Sequence, residues 1–403
     1  MSVTDQTSVD YANQVADRQK PIRVAQVVGK MGSGGVESVV MNYYRHIDRN
    51  KVQFDFVVND GSTQVPREEI EALGGRVFSV PRYKNLPAYL KAMELLLRRI
   101  QPDIVHSHIN ALSVFPLRAA KRAGVQVRIA HSHSTSNPRE HVRNLVKDIL
   151  RPFSRVYPTA YAACSKYAAS WLFGTGMGRE GHVYIMRNAL ELPRFVHNPA
   201  VRAAKRAELG VEDFQLVVGQ VGRMCSQKNQ MFTLEAFSAV LSECPDAVLL
   251  FIGEGDDLAQ IQAHANDLGI SDHVRFLGVR DDVADFYQAF DVLAFPSLYE
   301  GLGMAAVEAQ TADLPVVMST EVPDEAILLK DLITVLPLDA GAQAWGRALI
   351  EAADRKPAST RVNRAEEISA AGYEIQASAD QLADWYETLV RDRGTAVSGK
   401  EQI

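Results

Sequence analysis

The sequence has few cysteines and no long apolar run. Cys164, Cys225 and Cys244 are the only cysteines in 403 residues, and they are odd in number and widely spaced. This pattern argues against a disulfide framework or a cysteine metal site and is typical of a reducing compartment. No stretch approaches the roughly 20 apolar residues that a bilayer-spanning helix needs. Residues 1–20 are polar and lack the apolar core of a signal peptide, so we expect a disordered leader on a cytoplasmic protein.

Charge is unevenly distributed along the chain. The net charge of −6 argues against a nucleic-acid-binding role for the whole protein. Between Pro81 and Arg155, however, fourteen Lys and Arg residues face four Asp and Glu residues, a surplus of ten positive charges. Two interpretations remain open: a solvated basic face, or a surface that docks on anionic lipid or on an anionic substrate.

Short apolar runs alternate with segments of helical period along almost the whole chain, which predicts parallel β-sheets built from βαβ units. Predicted strands are 22–28, 54–58, 76–80, 103–108 and 127–133, then 216–222, 247–253, 274–278, 291–296 and 315–319. The two series are separated by residues 187–213. The predicted fold class is therefore α/β, with two Rossmann-like doubly wound domains, 21–195 and 196–373, that face each other across a cleft. Ligands of such sheets bind at the carboxyl ends of the strands.

The loops at these predicted strand ends carry polar and glycine residues. After the first strand, Gly32, Gly34 and Gly35 precede a helix, where close backbone approach and free N–H groups favour an anion. The loop completes neither a Walker A motif nor G-x-G-x-x-G, and a tight strand–helix turn explains it nearly as well.

Two histidine pairs end the fourth and fifth predicted strands. They are His106 and His108 in "DIVHSH", and His131 and His133 in "IAHSH". Alternation along a strand points both members of a pair to the same face. No cysteine or carboxylate stands at ligand spacing beside either pair, so a polar substrate site is favoured over a zinc site.

The second half of the chain carries the charged candidates. Arg223 and Lys228 follow the strand at 216–222, where they can neutralise a diphosphate. Glu300 stands in a glycine-rich turn, and Glu308 lies eight residues further, about two helical turns on. Two carboxylates on either side of a phosphate-binding helix start can accept hydrogen bonds from the hydroxyls at the two ends of a nucleotide diphosphate sugar.

Five elements occur together in order: "GSGGVE", "DIVHSH", "GRMCSQKN", "FLGVRDDVADFYQAFDVLAFPS" and "EGLGMAAVE". In this combination the chain resembles the retaining glycosyltransferases of family 4, which have the GT-B fold, over about residues 22 to 390. "IAHSHS" and "SLYEGLGMAAVEAQ" look most like the subgroup that builds capsular or exopolysaccharide repeat units. The resemblance implies that a final helix, 374–392, crosses back to the first domain before a polar tail at 393–403.

The resemblance also implies roles for individual residues. The catalytic set would be His108, Arg223, Lys228 and Glu300, with Arg223 and Lys228 on the donor diphosphate, Glu300 and His108 on the transferred sugar and Glu308 on the ribose. The remaining donor-binding positions would be Gly34, Gly35, Val279, Arg280, Gly301, Leu302, Gly303 and Met304. His106, His131 and His133 would lie on the acceptor side. Many family members have Pro or Phe where this chain has Leu302, so sugar preference is not implied.

The implied reaction moves a sugar from a nucleotide diphosphate sugar, with UDP as the expected nucleotide, to a hydroxyl of a saccharide or lipid-linked acceptor with retention of configuration. No D-x-D sequence occurs in the chain, so we expect protein cations rather than a metal at the diphosphate, and no cofactor. The alternatives are a GT-B-fold epimerase or phosphorylase and, less favoured because the charged motif residues are present, a non-catalytic partner subunit. The expected location is the cytoplasm, peripheral to the inner face of the membrane through residues 81–155.

Overall fold

The computed structural model describes residues 20–32, 35–133, 149–179 and 181–398. The chain divides into two compact units. The first contains the described residues within Met1–His131, Phe153–Tyr161 and Ala379–Ile403, and the second those within Ser132–Pro152 and Ala162–Ser378. Among the described residues, no helix is both long enough and apolar enough to cross a membrane.

The first sheet has seven strands in the order β3-β2-β1-β4-β5-β6-β7. Its β1–β2, β1–β4, β2–β3, β4–β5 and β6–β7 pairings are parallel. The strands are β1 (Ile22–Gly29), β2 (Val52–Asn59), β3 (Arg76–Val80), β4 (Ile104–Ser107), β5 (Val127–Ser132), β6 (Ala160–Ala163) and β7 (Tyr184–Ile185). The α-helices among the described residues up to Arg179 are α1 (Gly35–His46), α2 (Arg67–Ala72), α3 (Leu86–Ile100), α4 (Val114–Arg122), α5 (Lys166–Phe173) and α6 (Thr175–Arg179). Strands β1, β2, β4, β5 and β6 are mostly buried, as parallel strands covered on both faces are, whereas β3 and β7 are only partly buried.

The second sheet has six parallel strands in the order β10-β9-β8-β11-β12-β13. These are β8 (Val217–Val221), β9 (Val248–Ile252), β10 (Val274–Phe276), β11 (Val292–Phe295), β12 (Val316–Ser319) and β13 (Ile333–Leu336). The helices are α7 (Leu192–Phe195), α8 (Pro199–Leu209), α9 (Gln230–Glu243), α10 (Leu258–Asp267), α11 (Val283–Ala289), α12 (Met304–Thr311), α13 (Ala342–Arg355), α14 (Ala365–Ala370) and α15 (Ile375–Ser398).

Two apolar clusters form the core of the second unit. One gathers Phe237, Phe251 and Trp345 from α9, β9 and α13. The other gathers Tyr287, Phe290 and Phe295 from the α11 and β11 region. Successive side chains of a strand point to opposite faces, so Leu249 and Phe251 join the first cluster while Val248, Leu250 and Ile252 join the second. The sheet is therefore packed on both sides.

The predicted strands are all present, with ends that differ by one or two residues. The alternation missed β6, β7 and β13, which are only two to four residues long. Residues 187–213, treated as a separator in the sequence, contain α7 and α8. Helix α8 carries clear signals: the Asn198 side chain accepts hydrogen bonds from the amides of Ala200 and Val201, Pro199 begins the helix, and Gly210 ends it in the left-handed region. The final helix runs to Ser398 rather than to 392.

Helix α15 joins the two units along the chain, because Ile375–Ser378 belongs to the second unit and the residues from Ala379 onward to the first. Within the first unit, Tyr386 of this helix packs edge-on against Phe54 of β2. The hydroxyl of Tyr386 also reaches the polar residues at the centre of the first sheet.

Candidate active site

A buried ion pair lies at the carboxyl ends of β8 and β11 in the second unit. The ammonium of Lys228 donates to Glu300 Oε1 at 2.6 Å, and the two side chains are 18 % and 8 % exposed. Gln227 Nε2 donates to the other oxygen of Glu300 at 3.3 Å and to the Tyr299 carbonyl at 3.0 Å. The Lys228 ammonium also lies 5.1 Å from the centre of the Phe295 ring. The structure thus joins two residues that are 72 positions apart in the sequence.

Glycines at two turns make room for this pair. Gly222 follows β8 with φ +148°, and a β-carbon there would lie 3.1 Å from Cε of Lys228. Gly303 has φ +99° at the start of α12, and its β-carbon would lie 3.0 Å from the Phe295 ring. Larger residues at either position would strain the backbone and press on the Lys228–Phe295 contact.

Glu308 lies in α12, eight residues after Glu300, and is hydrogen-bonded to a buried tyrosine. The hydroxyl of Tyr287 donates to Glu308 Oε2 at 2.6 Å. Burial raises the pKa of Glu308, while the Tyr287 hydrogen bond and the positive charge of Lys228 lower it. The pKa of Tyr287 is raised well above its ordinary value, first by burial and then by the neighbouring carboxylate. Glu308 and Glu300 are therefore held separately, each by its own partner.

Other residues predicted to bind the donor lie in the loops that follow β8 and β11. Gly301, Leu302 and Gly303 are buried in the turn before α12, Met304 begins the helix, and the Gly301 carbonyl accepts a hydrogen bond from Ser165 Oγ at 2.7 Å. Arg223 is exposed just beyond β8, and its carbonyl accepts from Gln230 Nε2 at 2.9 Å.

Val279 and Arg280 lie on the loop after β10. Val279 is exposed, and the Arg280 guanidinium donates to both oxygens of Asp282 at 2.8 and 2.9 Å while lying 5.3 Å from the Phe286 ring. The hydrogen bonds that Arg280 donates to Asp282 raise the pKa of Arg280. These contacts hold Arg280 against α11. Among the predicted donor residues that the structure describes, Lys228 interacts with both Glu300 and Glu308.

Three of the four predicted histidines cluster in the first unit. Nε2 of His106 lies 3.0 Å from Nδ1 of His131, and the His108 ring stacks on His106 with centroids 4.2 Å apart. The register of the parallel pair β1–β4 sets Gln26 opposite His106. Gln26 Oε1 lies 2.7 Å from Nε2 of His108, and the Tyr386 hydroxyl lies 2.7 Å from Nδ1 of His106.

His133 belongs to the second unit and is not part of this cluster. Burial lowers the pKa of His133 to about 3, so the ring is neutral at physiological pH. Its backbone carbonyl accepts a hydrogen bond from Cys164 Sγ at 3.5 Å. Pairing His133 with His131 by strand alternation therefore does not describe their surroundings, because β5 ends at Ser132 and His133 lies beyond it.

Within the described residues, His106, His108 and His131 are also the set whose ligand atoms come close enough to hold a metal, all within 4.8 Å of one another. Both nitrogens of His106 and Nε2 of His108 already lie within hydrogen-bonding distance of protein groups. A metal ion would have to displace those contacts, so the donor set fits a hydrogen-bonded cluster better than a metal centre.

The remaining sequence predictions concern glycines and basic residues. Gly34 lies outside the described residues, and Gly35 begins α1 at an exposed position. Arg139, Arg143 and Lys147 of the basic stretch also lie outside the described residues, whereas Lys84 and Arg151 are exposed.

Four functional candidates were missed from the sequence: Gln26, Gln227, Tyr287 and Tyr386. Gln26 did leave a signal, because it is an amide within the otherwise apolar strand "IRVAQVV". A polar residue in a fully buried strand requires a hydrogen-bonding partner. Tyr386 lies 280 positions from the histidine that it contacts, a separation that no local pattern reveals.

Comparisons with known proteins identify the family. The model of "Glycosyltransferase Family 4" matches residues 33–192, and that of "Glycosyl transferases group 1" matches residues 201–369. EpsF of Bacillus subtilis (strain 168) is 31 % identical over 375 residues, which cover 90 % of this chain and 96 % of EpsF. This chain belongs to glycosyltransferase family 4. It is a glycosyltransferase. Lys228, Glu300 and Glu308 lie in the part matched by the group 1 model, and the histidine cluster lies in the part matched by the other model.

Two further proteins are similar to this glycosyltransferase. An Escherichia coli UDP-Gal:alpha-D-GlcNAc-diphosphoundecaprenol alpha-1,3-galactosyltransferase is 24 % identical over 328 residues, covering 78 % of this chain and 84 % of the relative. The crystal structure of Anabaena Alr3699/HepE in complex with UDP-glucose aligns with a TM-score of 0.69 at 18 % identity, covering 94 % of this chain and 100 % of HepE. The two parallel Rossmann-like sheets and this structural likeness establish the GT-B fold.

Proposed function

We propose that this glycosyltransferase transfers a sugar, with retention of configuration, from a UDP-sugar to a hydroxyl of a lipid-linked diphosphate sugar or other saccharide acceptor in exopolysaccharide or capsule synthesis. The Lys228–Glu300 pair at the carboxyl ends of β8 and β11 carries the proposal. A cation for the leaving diphosphate and a carboxylate for sugar hydroxyls adjoin at the place where a parallel sheet binds its ligand. HepE binds UDP-glucose, and the galactosyltransferase named above uses UDP-Gal and a diphosphoundecaprenol-linked acceptor.

The difficult step is loss of the diphosphate, because negative charge develops on it as the sugar becomes positive. Lys228 and Arg223 stabilise that negative charge, and the amides at the start of α12 add dipoles to the same region. Lys228 is positioned for this by Phe295 and Gly222 and reaches phosphate by giving up part of its contact with Glu300. No metal is needed in this arrangement, since the protein supplies the cations.

The two carboxylates hold the two polyols of the donor. Glu300, as its contact with Lys228 lengthens, accepts hydrogen bonds from hydroxyls of the transferred sugar. Glu308, oriented by Tyr287, accepts from the ribose diol. The leaving phosphate takes the proton of the acceptor hydroxyl as that oxygen attacks from the same face, so neither glutamate forms a bond to the sugar.

A nucleotide panel tests this assignment. Thermal stabilisation by UDP, GDP and the corresponding sugar conjugates should favour UDP, and UDP-sugars should be slowly hydrolysed without an acceptor. In Glu300→Gln, the shift with UDP is expected to persist because Lys228 remains, while the additional shift with a UDP-sugar is lost. Equal loss of both shifts would place Glu300 on the nucleotide instead. Production of a sugar phosphate when inorganic phosphate is added would favour a phosphorylase.

We further propose a peripheral site at the inner face of a membrane through residues 81–155. At the end of this stretch and just beyond it, Ile149, Phe153 and Val156 are each more than half exposed, and Arg151 and Arg155 lie between them. Exposed apolar residues interleaved with arginines match the boundary of an anionic bilayer, where rings enter the headgroup region and arginines meet phosphate.

Sedimentation with vesicles tests the membrane proposal. Binding to anionic vesicles should exceed binding to neutral ones and weaken with salt. Phe153→Ser should reduce it, whereas Phe214→Ser, an exposed phenylalanine of the second unit, serves as the matched control. Equal binding to neutral and anionic vesicles would contradict the proposal.

A further inference from the structure

A continuous chain of hydrogen bonds runs through the centre of the first unit. It begins at His108, whose Nε2 lies 2.7 Å from Gln26 Oε1. The other end of that amide, Gln26 Nε2, donates to the Tyr386 hydroxyl oxygen at 3.3 Å. The Tyr386 hydroxyl lies 2.7 Å from Nδ1 of His106, and Nε2 of His106 lies 3.0 Å from Nδ1 of His131.

Every member of the chain is withdrawn from solvent. The five residues range from 0 to 2 % exposed. His108 is further fixed by its backbone amide, which donates to the Val27 carbonyl at 2.9 Å, and by stacking on His106. Most buried polar groups are hydrogen-bonded, so each of these contacts constrains the position of a proton.

The orientation of the Gln26 amide sets the direction of the chain. Its oxygen can only accept, so Nε2 of His108 must carry a proton and donate it. Its nitrogen donates to the Tyr386 oxygen, which leaves the single Tyr386 proton for Nδ1 of His106. Nδ1 of His106 then accepts, so the proton of a neutral His106 is on Nε2 and is donated to Nδ1 of His131. The proton of a neutral His131 is consequently on Nε2 as well.

We propose that Tyr386 is a positioning residue of this glycosyltransferase, which together with Gln26 holds His106, His108 and His131 as neutral imidazoles protonated at Nε2. The neutral state of His106 and His131 follows from the same chain, because each ring accepts a hydrogen bond at Nδ1 and an accepting nitrogen carries no proton. For His108, whose Nε2 donates, the neutral state is part of the proposal. The tyrosine touches no substrate in this scheme and acts through the rings.

The consequence for the reaction rests on the proposed function. With its Nε2 proton donated to Gln26, a neutral His108 has an acceptor and no donor at Nδ1. A neutral acceptor suits a sugar hydroxyl, which donates, and not a phosphate oxygen, which also accepts. This tautomer therefore suits His108 to hydroxyl recognition.

Imidazole nitrogen NMR on the unaltered protein labelled with ¹⁵N-histidine tests the proton positions without any substrate. There are ten histidines, and single His→Gln variants assign the three of interest. The expected result is the Nε2–H tautomer for His106, His108 and His131. A Nδ1–H tautomer at His106 would mean that the amide of Gln26 has the opposite orientation and would overturn the proposal.

Tyr386→Phe then separates positioning from packing. Loss of the hydroxyl should allow His106 to exchange between tautomers, and hydrolysis of a UDP-sugar is expected to slow about tenfold, the effect of one lost buried hydrogen bond. Tyr89→Phe is the matched control, because the Tyr89 hydroxyl is buried without a hydrogen-bond partner among the described residues.

The outcomes are distinguishable from failure of the proposed function. If UDP causes no thermal shift in the unaltered protein, the function fails while the tautomer pattern can still hold. If UDP binds but Tyr386→Phe leaves both the His106 tautomer and the hydrolysis rate unchanged, the positioning role is wrong. Equal slowing in Tyr89→Phe would show a packing effect and would also overturn it.

Discussion

The two units of this glycosyltransferase differ in how they stabilise buried polar groups at strand ends. The second unit places a full positive and a full negative charge 2.6 Å apart, with Lys228 and Glu300 largely buried. The first unit gathers three imidazoles, an amide and a phenol, none of which needs a charge. Charge is useful where a charged leaving group departs, whereas neutral groups discriminate among hydroxyls without attracting phosphate. The comparison therefore separates a charged cluster from a neutral one, which is the contrast that the following variants test.

The strongest way to break the comparison is to remove the cation. Lys228→Ala should lower kcat/KM for donor hydrolysis about 100-fold or more, because the leaving diphosphate loses its nearest charge and Glu300 loses its partner. Lys356→Ala is the control, since Lys356 is similarly shielded and pairs with a buried carboxylate, Asp313, at 2.8 Å. A similar loss in both variants would indicate general destabilisation rather than a lost catalytic charge.

A smaller effect is expected at the exposed cation of the same loop. Arg223→Ala should weaken UDP binding about tenfold. This effect is smaller than the roughly 100-fold loss of kcat/KM expected for Lys228→Ala, because the charge of an exposed arginine is screened by solvent. Isothermal titration at low and high salt measures both the affinity and its salt dependence. Unchanged affinity for UDP would remove Arg223 from the phosphate site.

The second carboxylate provides a test through pH. The hydrogen bond from Tyr287 lowers the pKa of Glu308 against the effect of burial, so Tyr287→Phe should raise that pKa further. A smaller fraction of Glu308 is then ionised at any given acidic pH, and the loss of UDP affinity on acidification should begin at a higher pH. Affinity profiles that coincide for the two proteins would show that the ionisation of Glu308 does not govern ribose binding.

The smallest effect concerns stability in acid. His133 has a pKa lowered to about 3 by burial, against about 6.5 in an unfolded chain. Its contribution to stability is therefore present above pH about 6.5 and is lost as pH falls toward 3, because the unfolded state binds the extra proton first. His133→Gln should flatten the fall of Tm between pH 6.5 and 5, measured by differential scanning fluorimetry. An unchanged slope would mean that other groups determine acid sensitivity.

Local sequence patterns were sufficient to predict most strands of the two sheets, but not the contacts between residues far apart in the sequence. Strand–helix alternation predicted the buried strands because each parallel strand is a short apolar run that can be recognised by itself. Lys228 and Glu300 were predicted as neighbours of one ligand because both follow strands of one sheet. Tyr386 could not be predicted, since its partner Gln26 lies 360 residues away and only the path of α15 brings them together. Strands β7 and β13 were missed because neither is a buried apolar run: their residues are partly or fully exposed.

The path of α15 also has a consequence for biosynthesis. The last strand of the first sheet ends at Ile185, yet Tyr386 emerges about 200 residues later. At ordinary elongation rates of about 5–20 residues per second, that interval is about 10–40 seconds. During this time Gln26 and His106 are already made but lack the hydroxyl that joins them. The first unit is thus completed only after the second unit has been translated, and until then its buried polar residues lack the Tyr386 hydroxyl.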